Sequence, residues 1–280
     1  MSLSHAINDW YAVADAAVLR QGPYRTRLLG TDLTVTGPFD AATVTDAQGA
    51  TWPVQRKFDH VWTCLGDAPR PLFDIPEACE PGRVRVPVGV VRVKCSPLRA
   101  VENFLDIAHF PFVHTDILGV ESQSEVAPYK AEIRDEVEEV WATQVKFFQP
   151  QAMKSAGGGI MAEYDYRVPH PMVAILYKTS PPRPGSKDVI AIFVQPRSED
   201  VCDVWPWMAL YDEASTYAEI VQFQQEIFLQ DRSILENQRP VRLPLDPKME
   251  IPTRADLTSV AYRRWLKRRG ATYGALMEGA

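Results

Sequence analysis

RVRVPVGVVRVKCSPLRAVENFLDIAHFPFVH, residues 83–114, changes its period halfway. Over Arg83–Cys95 valine recurs at nearly every second position, which predicts a strand. From Ser96, a predicted N-cap, the apolar spacing becomes helical. The helix predicted there carries Asn103, Asp106 and His109 three residues apart, along one face. Pro111 breaks it, so that His109 ends the helix and His114 folds back on the following turn. On an unbroken helix residues five apart point about 140° from one another, and the two imidazoles would not converge. Two imidazoles joined by a helix-breaking turn make a divalent-metal half-site. From spacing alone, two histidines near a helix end read equally as ordinary polar or core residues.

On the C-terminal side, the stretch from about 131 to 211 holds six strand candidates: AEIRDEVEEV, WATQVKFFQ, IMAEYDYRV, MVAILYKTS, DVIAIFVQP and VCDVWPWMALY. Turn signals such as AGGG and PPRPGSKD separate them. Residues 214–236 form the longest helical pattern, and LTSVAYRRWLKRRG predicts a closing helix. On the N-terminal side, residues 6–20 read as a strand and a helical turn, followed by short antiparallel strands to residue 64. The proline-rich connector 65–82 marks the expected boundary, giving two domains, 1–82 and 83–280. A mostly antiparallel sheet covered by a long late helix is an α+β arrangement.

Composition narrows the function. Of 280 residues, 46% are hydrophobic and 24% charged, which provides for a packed core. A net charge of −6 argues against nucleic acid as the main partner. No window approaches 18 uninterrupted apolar residues, so no membrane span is expected, and no signal-peptide pattern opens the chain, so a cytoplasmic protein is expected. The four cysteines, Cys64, Cys79, Cys95 and Cys202, form no CxxC pair and have no histidine within three residues; free thiols in or near the core are expected. There is no GxSxG elbow, HExxH helix or GxxxxGK[ST] loop. SAGGGI, residues 155–160, reads as a flexible loop over a cavity. VWPW, 204–207, reads as pocket lining or strand core, and the basic run 263–270 as a favourable helix C-terminus or a docking surface.

The segment Asn103-x-x-Asp106-x-x-His109-x4-His114 resembles the mononuclear-iron motif of the Rieske non-haem iron oxygenases. FQQEIFLQDRSILENQRP resembles the segment that carries their third ligand, an aspartate, which maps to Asp231. WYAVADAAVL, RTRLLGTDLTV and FDHVWTCLGDAPRPLFDIPE resemble pieces of the family's Rieske domain, so the likeness covers nearly the whole chain. It implies a degenerate Rieske-like β domain followed by a helix-grip (START/Bet v 1-like) catalytic domain. It also implies a mononuclear Fe(II) held by His109, His114 and Asp231, with Asp106 relaying electrons and Asn103 supporting the site. Gln224 and Phe228 lie seven and three residues before Asp231 on a helical face and are expected to point into the same cavity; an exposed position for Gln224 and plain core packing for Phe228 are the alternatives.

One departure is decisive. The family's [2Fe–2S] cluster needs a CxH and a CxxH pair, and neither is present; ATWPVQRKFDH, 50–60, stands where the family has both cluster loops. No cluster is expected on this chain. Within the family, such a subunit implies oxidative N-demethylation of a methylated purine, 7-methylxanthine giving xanthine and formaldehyde, as in bacterial caffeine breakdown. The implied partners are a Rieske-domain-bearing reductase that passes on electrons from NADH and a glutathione-transferase-like structural protein, in a trimer-based assembly. A demethylase or hydroxylase of another aromatic, and a non-catalytic structural subunit, are the other readings.

Overall fold

The computed structural model describes residues 5–67, 69–155 and 158–277. The N-terminal part begins with β1 (Tyr11–Asp15) and a single turn, α1 (Ala16–Leu19), which Asp15 caps through the amides of Ala17 and Val18. Strands β2 (Tyr24–Leu28), β3 (Thr31–Thr36), β4 (Thr43–Asp46) and β5 (Thr51–Trp52) form one antiparallel sheet, while β6 (Val54–Lys57) and β7 (His60–Thr63) join β1 in another. Phe58 and Asp59, both at positive φ, make the two-residue turn between β6 and β7. The connector 65–82 carries one short 3-10 turn, Pro76–Cys79.

Residues 83–95 form two strands rather than the one predicted, β8 (Val84–Pro87) and β9 (Val91–Val93). Gly89, at φ +91°, bends the chain between them, and both strands pair with the same neighbour. The helix that follows also differs from expectation. α2 (Pro97–Leu105), capped by Ser96 Oγ on the Leu98 amide, stops before Asp106, whose backbone is extended. The Asp106 carboxylate takes the Ala108 amide at 2.8 Å, a local bond that competes with helix continuation. Pro111 does not end a helix. It lies in the first turn of α3 (Phe110–Val113), where a missing N–H costs nothing.

The large sheet orders β10 (Lys130–Arg134), β11 (Glu139–Gln149), β12 (Ile160–His170), β13 (Val173–Thr179), β14 (Lys187–Pro196) and β15 (Cys202–Leu210) antiparallel in sequence, then β8 and β9 beyond β15. The hairpin between β10 and β11 turns at 135–138, earlier than the predicted break at 140. Helices α2, α4 (Tyr217–Asn237) and α5 (Leu257–Arg269) lie over one face, where Val101, Leu105, Phe228, Leu235, Tyr262 and Trp265 join one core cluster with Tyr164, Tyr166, Leu176 and Val204. The opposite face at β13–β15 buries Ile175, Phe193, Trp205 and Trp207 against Trp10, Phe58 and Trp62 of the N-terminal part. Trp205 and Trp207 of the VWPW stretch are therefore core and do not line the cavity. Two-sided cover explains why β15 is buried at every position, whereas β12 alternates buried and half-buried. The result is α+β, with the expected long helix laid across an antiparallel sheet. Short parallel strands β16 (Leu243–Pro244) and β17 (Ala275–Leu276) close the chain. No described helix is long and apolar enough to cross a membrane.

Between α2 and α5 lies a buried ionic knot. Arg99, 1% exposed, holds Glu102 at 2.9 Å and Glu250 at 2.6 Å; Arg263 holds Glu102 at 2.6 Å and also contacts Glu250. The basic run thus begins inside the protein. Further along it Arg268 pairs with Asp135 and Arg269 lies over the Trp265 ring, and Gly270 caps the helix at φ +65°. Removing one partner of a buried ionic group strands the others. Glu102→Ala is expected to lower the stability by about 3 kcal/mol, seen as a lower urea midpoint at unchanged slope. Cys64, Cys95 and Cys202 are buried thiols as expected, but Cys79, on the 3-10 turn of the connector, is exposed.

Candidate metal centre

Because α2 stops at Asp106, the short loop to α3 brings the Asp106 carboxylate back onto the side chain at the start of that helix, and Asp106 Oδ2 accepts from His109 Nδ1 at 3.0 Å. The predicted triplet therefore does not lie on one helical face; the Asp106–His109 pair is made by a turn. α3 then carries the chain just far enough for His114 to return, and the two Nε2 atoms face each other at 3.2 Å. His114 Nδ1 bonds Gln230 Oε1 at 2.7 Å. With Nδ1 of each ring committed as a donor, Nε2 of each is the atom turned to the same point.

Asp231 reaches that point from α4. Its Oδ1 lies 3.2 Å from His109 Nε2 and 3.0 Å from His114 Nε2. It is buried, yet it accepts no hydrogen bond. Burial would lower the His109 pKa, but the Asp106 and Asp231 carboxylates overcome it and hold the value up at about 9, so a cation that binds Nε2 displaces a proton from the ring. Burial would likewise raise that of Asp231, but the two imidazoles hold it down at about 2. Three ligand atoms within 4.8 Å, one of them a buried oxygen without a donor, are what a divalent cation neutralises; among the described residues no other group of three histidine, cysteine or carboxylate side chains is so placed. Two imidazoles and one carboxylate on one side leave the opposite side for other ligands.

The other predicted residues fall on two sides of this cluster. Gln224 and Phe228, both buried, share the inner face of α4 with Asp231 and line an inner cavity with His109, His114, Phe110 and Ile227. The exposed alternative for Gln224 is thereby excluded. Asp106 instead opens onto an outer groove bordered by Ile234, Gln238 and Ile251, its side chain 26% exposed. Asn103 and His109 border both spaces. Of the SAGGGI segment, residues 156 and 157 lie outside the described residues. Sequence reasoning missed Gln230, which adjoins Asp231 but sits about 100° away around the helix and so shares no apolar face with it. It also missed the strand side chains of the cavity, Gln149, Tyr164, Tyr166 and Lys178.

Residues 93–272 match the family described as the vanillate O-demethylase oxygenase C-terminal domain. A probable methylxanthine N7-demethylase, NdmC, of Pseudomonas sp. (strain TJI-51) is 42% identical over 275 residues, covering 97% of each chain. Among solved structures, NdmA of Pseudomonas putida CBB5 with caffeine superposes with a TM-score of 0.75 at 16% identity, over 98% of this chain and 94% of that one. Dicamba monooxygenase bound to 3,6-dichlorosalicylic acid follows the same fold, with a TM-score of 0.69 at 15% identity over 96% and 98%. The chain belongs to the vanillate O-demethylase oxygenase C-terminal-domain family of the Rieske non-haem iron oxygenases, and is an oxidoreductase.

Proposed function

We propose that the chain is an oxidative N-demethylase of a methylated purine, 7-methylxanthine being the first choice, and that His109, His114 and Asp231 hold its mononuclear Fe(II). The observation that carries the metal assignment is the convergence of two Nε2 atoms and Asp231 Oδ1, a buried oxygen with no hydrogen-bond partner. Bound there, ferrous iron supplies activation of dioxygen for oxidation of a substrate C–H bond. The protein groups do the rest. Asp106 and Gln230 each take an Nδ1 proton and fix the two rings, so that Nε2 of each is the nitrogen left to the metal. Phe110, Ile227 and Phe228 exclude water and pack a flat ring, and Gln224 offers a buried amide to its heteroatoms. An N-methyl group oxidised to N-hydroxymethyl then releases formaldehyde. The substrate choice rests on the 42% identity to a probable methylxanthine N7-demethylase over almost the full length.

Residues 1–82 are, in this reading, a Rieske domain that has lost its cluster loops. Its support is the compactness of the hairpins: Pro53 alone separates β5 from β6, and two residues separate β6 from β7. Electrons must then come from a separate Rieske-domain-bearing reductase, itself supplied by NADH. The groove outside Asp106 is the docking place, flanked by Ile251 at 95% exposure and Met249 and Ile234 at 48% each. A trimer-based assembly and a glutathione-transferase-like partner remain part of the proposal.

The test is formaldehyde release from 7-methylxanthine with and without a Rieske-bearing reductase; release only with it, from a purified chain lacking visible [2Fe–2S] absorption, is the expected result. Cluster bands with about two acid-labile sulfides per chain would overturn the cluster-less reading. Failure to demethylate any methylxanthine, with release from a methoxy- or N-methyl-aromatic instead, would move the substrate to that class. Gln224→Leu is expected to lose about 1–3 kcal/mol of discrimination between methylxanthines, read from kcat/KM ratios, while the thermal midpoint stays within a few degrees.

A further inference from the structure

The cavity has a second wall that the proposed machinery leaves unused. Gln149 ends β11, Tyr164 and Tyr166 stand two apart on β12, and Lys178 lies directly opposite Tyr164 on β13. Alternation puts all four on the helix-covered face of the sheet, and all four line the same cavity as His109, His114 and Asp231. Each is at least nine-tenths buried, yet Gln149 Oε1 and both tyrosine hydroxyls have no hydrogen-bond partner. Lys178 Nζ donates to the Ala152 carbonyl, with the Asp188 carboxylate as its charged neighbour. Burial lowers its pKa to about 8, only weakly opposed by Asp188. Three buried polar atoms without partners, beside a buried lysine held by one carbonyl, are costly on one wall, and the cost is recovered when a ligand supplies the partners.

We infer that this wall is the substrate's polar-edge subsite, built for a dione ring whose carbonyls and N–H alternate. The complement is chemical: Lys178 donates, Gln149 Oε1 accepts, and the two hydroxyls do either. A purine-dione presents that acceptor–donor–acceptor edge on its six-membered ring. With that ring against the strands, the five-membered ring and its methyl group turn towards the histidine–aspartate cluster. The inference rests on the demethylase reading for the methyl group, but the wall itself asks only for the dione.

The test uses the iron-loaded enzyme without reductase, so that binding is measured and no turnover occurs. Titration calorimetry compares 7-methylxanthine, 7-methylpurine, which has the same rings and methyl but no carbonyls, and uracil, a dione that is not a purine. Tyr164→Phe and Tyr166→Phe each remove one oxygen that bonds nothing, so the thermal midpoint should hold or rise. Each should weaken 7-methylxanthine about 10-fold or more while changing 7-methylpurine less than about twofold. Lys178→Met should show the same pattern. Variants that bind 7-methylxanthine as the wild type does, or that lose both purines equally, would overturn the subsite and leave the demethylase reading intact. Uracil binding that the tyrosine variants abolish, in a protein indifferent to both purines, would uphold the subsite and overturn the purine reading. A wild-type protein that binds none of the three would overturn both.

Discussion

Asp231→Ala is expected to leave a folded protein that retains almost no iron and turns over at background rate. As metal ligands the two imidazoles are neutral, and Asp231 Oδ1 is the charged atom that both of them face, at 3.2 and 3.0 Å. Loss of a group that merely orients a ligand costs roughly 10–100-fold in affinity or activity. Loss of one of three direct ligands, and the only anion among them, must cost more. The fold should survive, because Asp231 Oδ1 makes no hydrogen bond and α4 is anchored elsewhere. Those anchors are the Thr216–Glu219 capping box and the buried Ile220, Phe228 and Leu235. Iron analysis, circular dichroism and formaldehyde release together decide it. A variant with wild-type iron and activity would remove Asp231 from the site and, with it, the reading of α4 as the third arm.

The Asp231 alignment could be read from the chain because helical spacing is local: residues 224, 228 and 231 share a face whatever the rest of the fold does. The strands of the large sheet were legible for the same reason, except that the turn at 135–138 between β10 and β11 has no glycine or proline to mark it. The break of α2 was not. Pro111 drew attention as the natural stop, whereas a single side-chain bond from Asp106 to the Ala108 amide ends the helix five residues earlier. Such a bond depends on one rotamer, and Asp is tolerated inside helices as well as at their ends. Residues 83–95 misled differently: their alternation is real, but a glycine at positive φ splits it, and valine periodicity carries no trace of that. The polar wall of the cavity was hidden by register. Tyr164 and Lys178 are 14 positions apart and meet only because β12 and β13 pair as they do. Period-two alternation is also masked on β13, which is covered on both faces and buried through Lys178.

Asp106→Ala is expected to bind substrate within a few-fold and to lose about 10-fold in iron affinity, yet to cut reductase-driven turnover of the iron-saturated protein by about 100-fold or more. The geometry separates the two effects. Asp106 does not touch the cluster point; it touches His109 Nδ1 at 3.0 Å from the far side, and its other oxygen is held by the Ala108 amide at 2.8 Å. The same carboxylate opens onto the outer groove, whereas Gln224 and Phe228 open only onto the inner cavity. It therefore links a surface a partner can reach to a ring at the centre. Removing it leaves His109 free to change tautomer, which costs some metal affinity. The larger loss should fall on whatever arrives through the groove. Asp106→Asn refines the test: it restores an oxygen for one of the two bonds but not the negative charge, and should recover iron retention before turnover. Hydrogen peroxide, which delivers oxidant and electrons together, should restore part of the product formed by Asp106→Ala but none by Asp231→Ala. Equal loss of iron and activity in Asp106→Ala would reduce the residue to a support for His109. Unchanged turnover with the reductase would show that electrons enter by another route, and would leave the groove beside Ile251 without a partner.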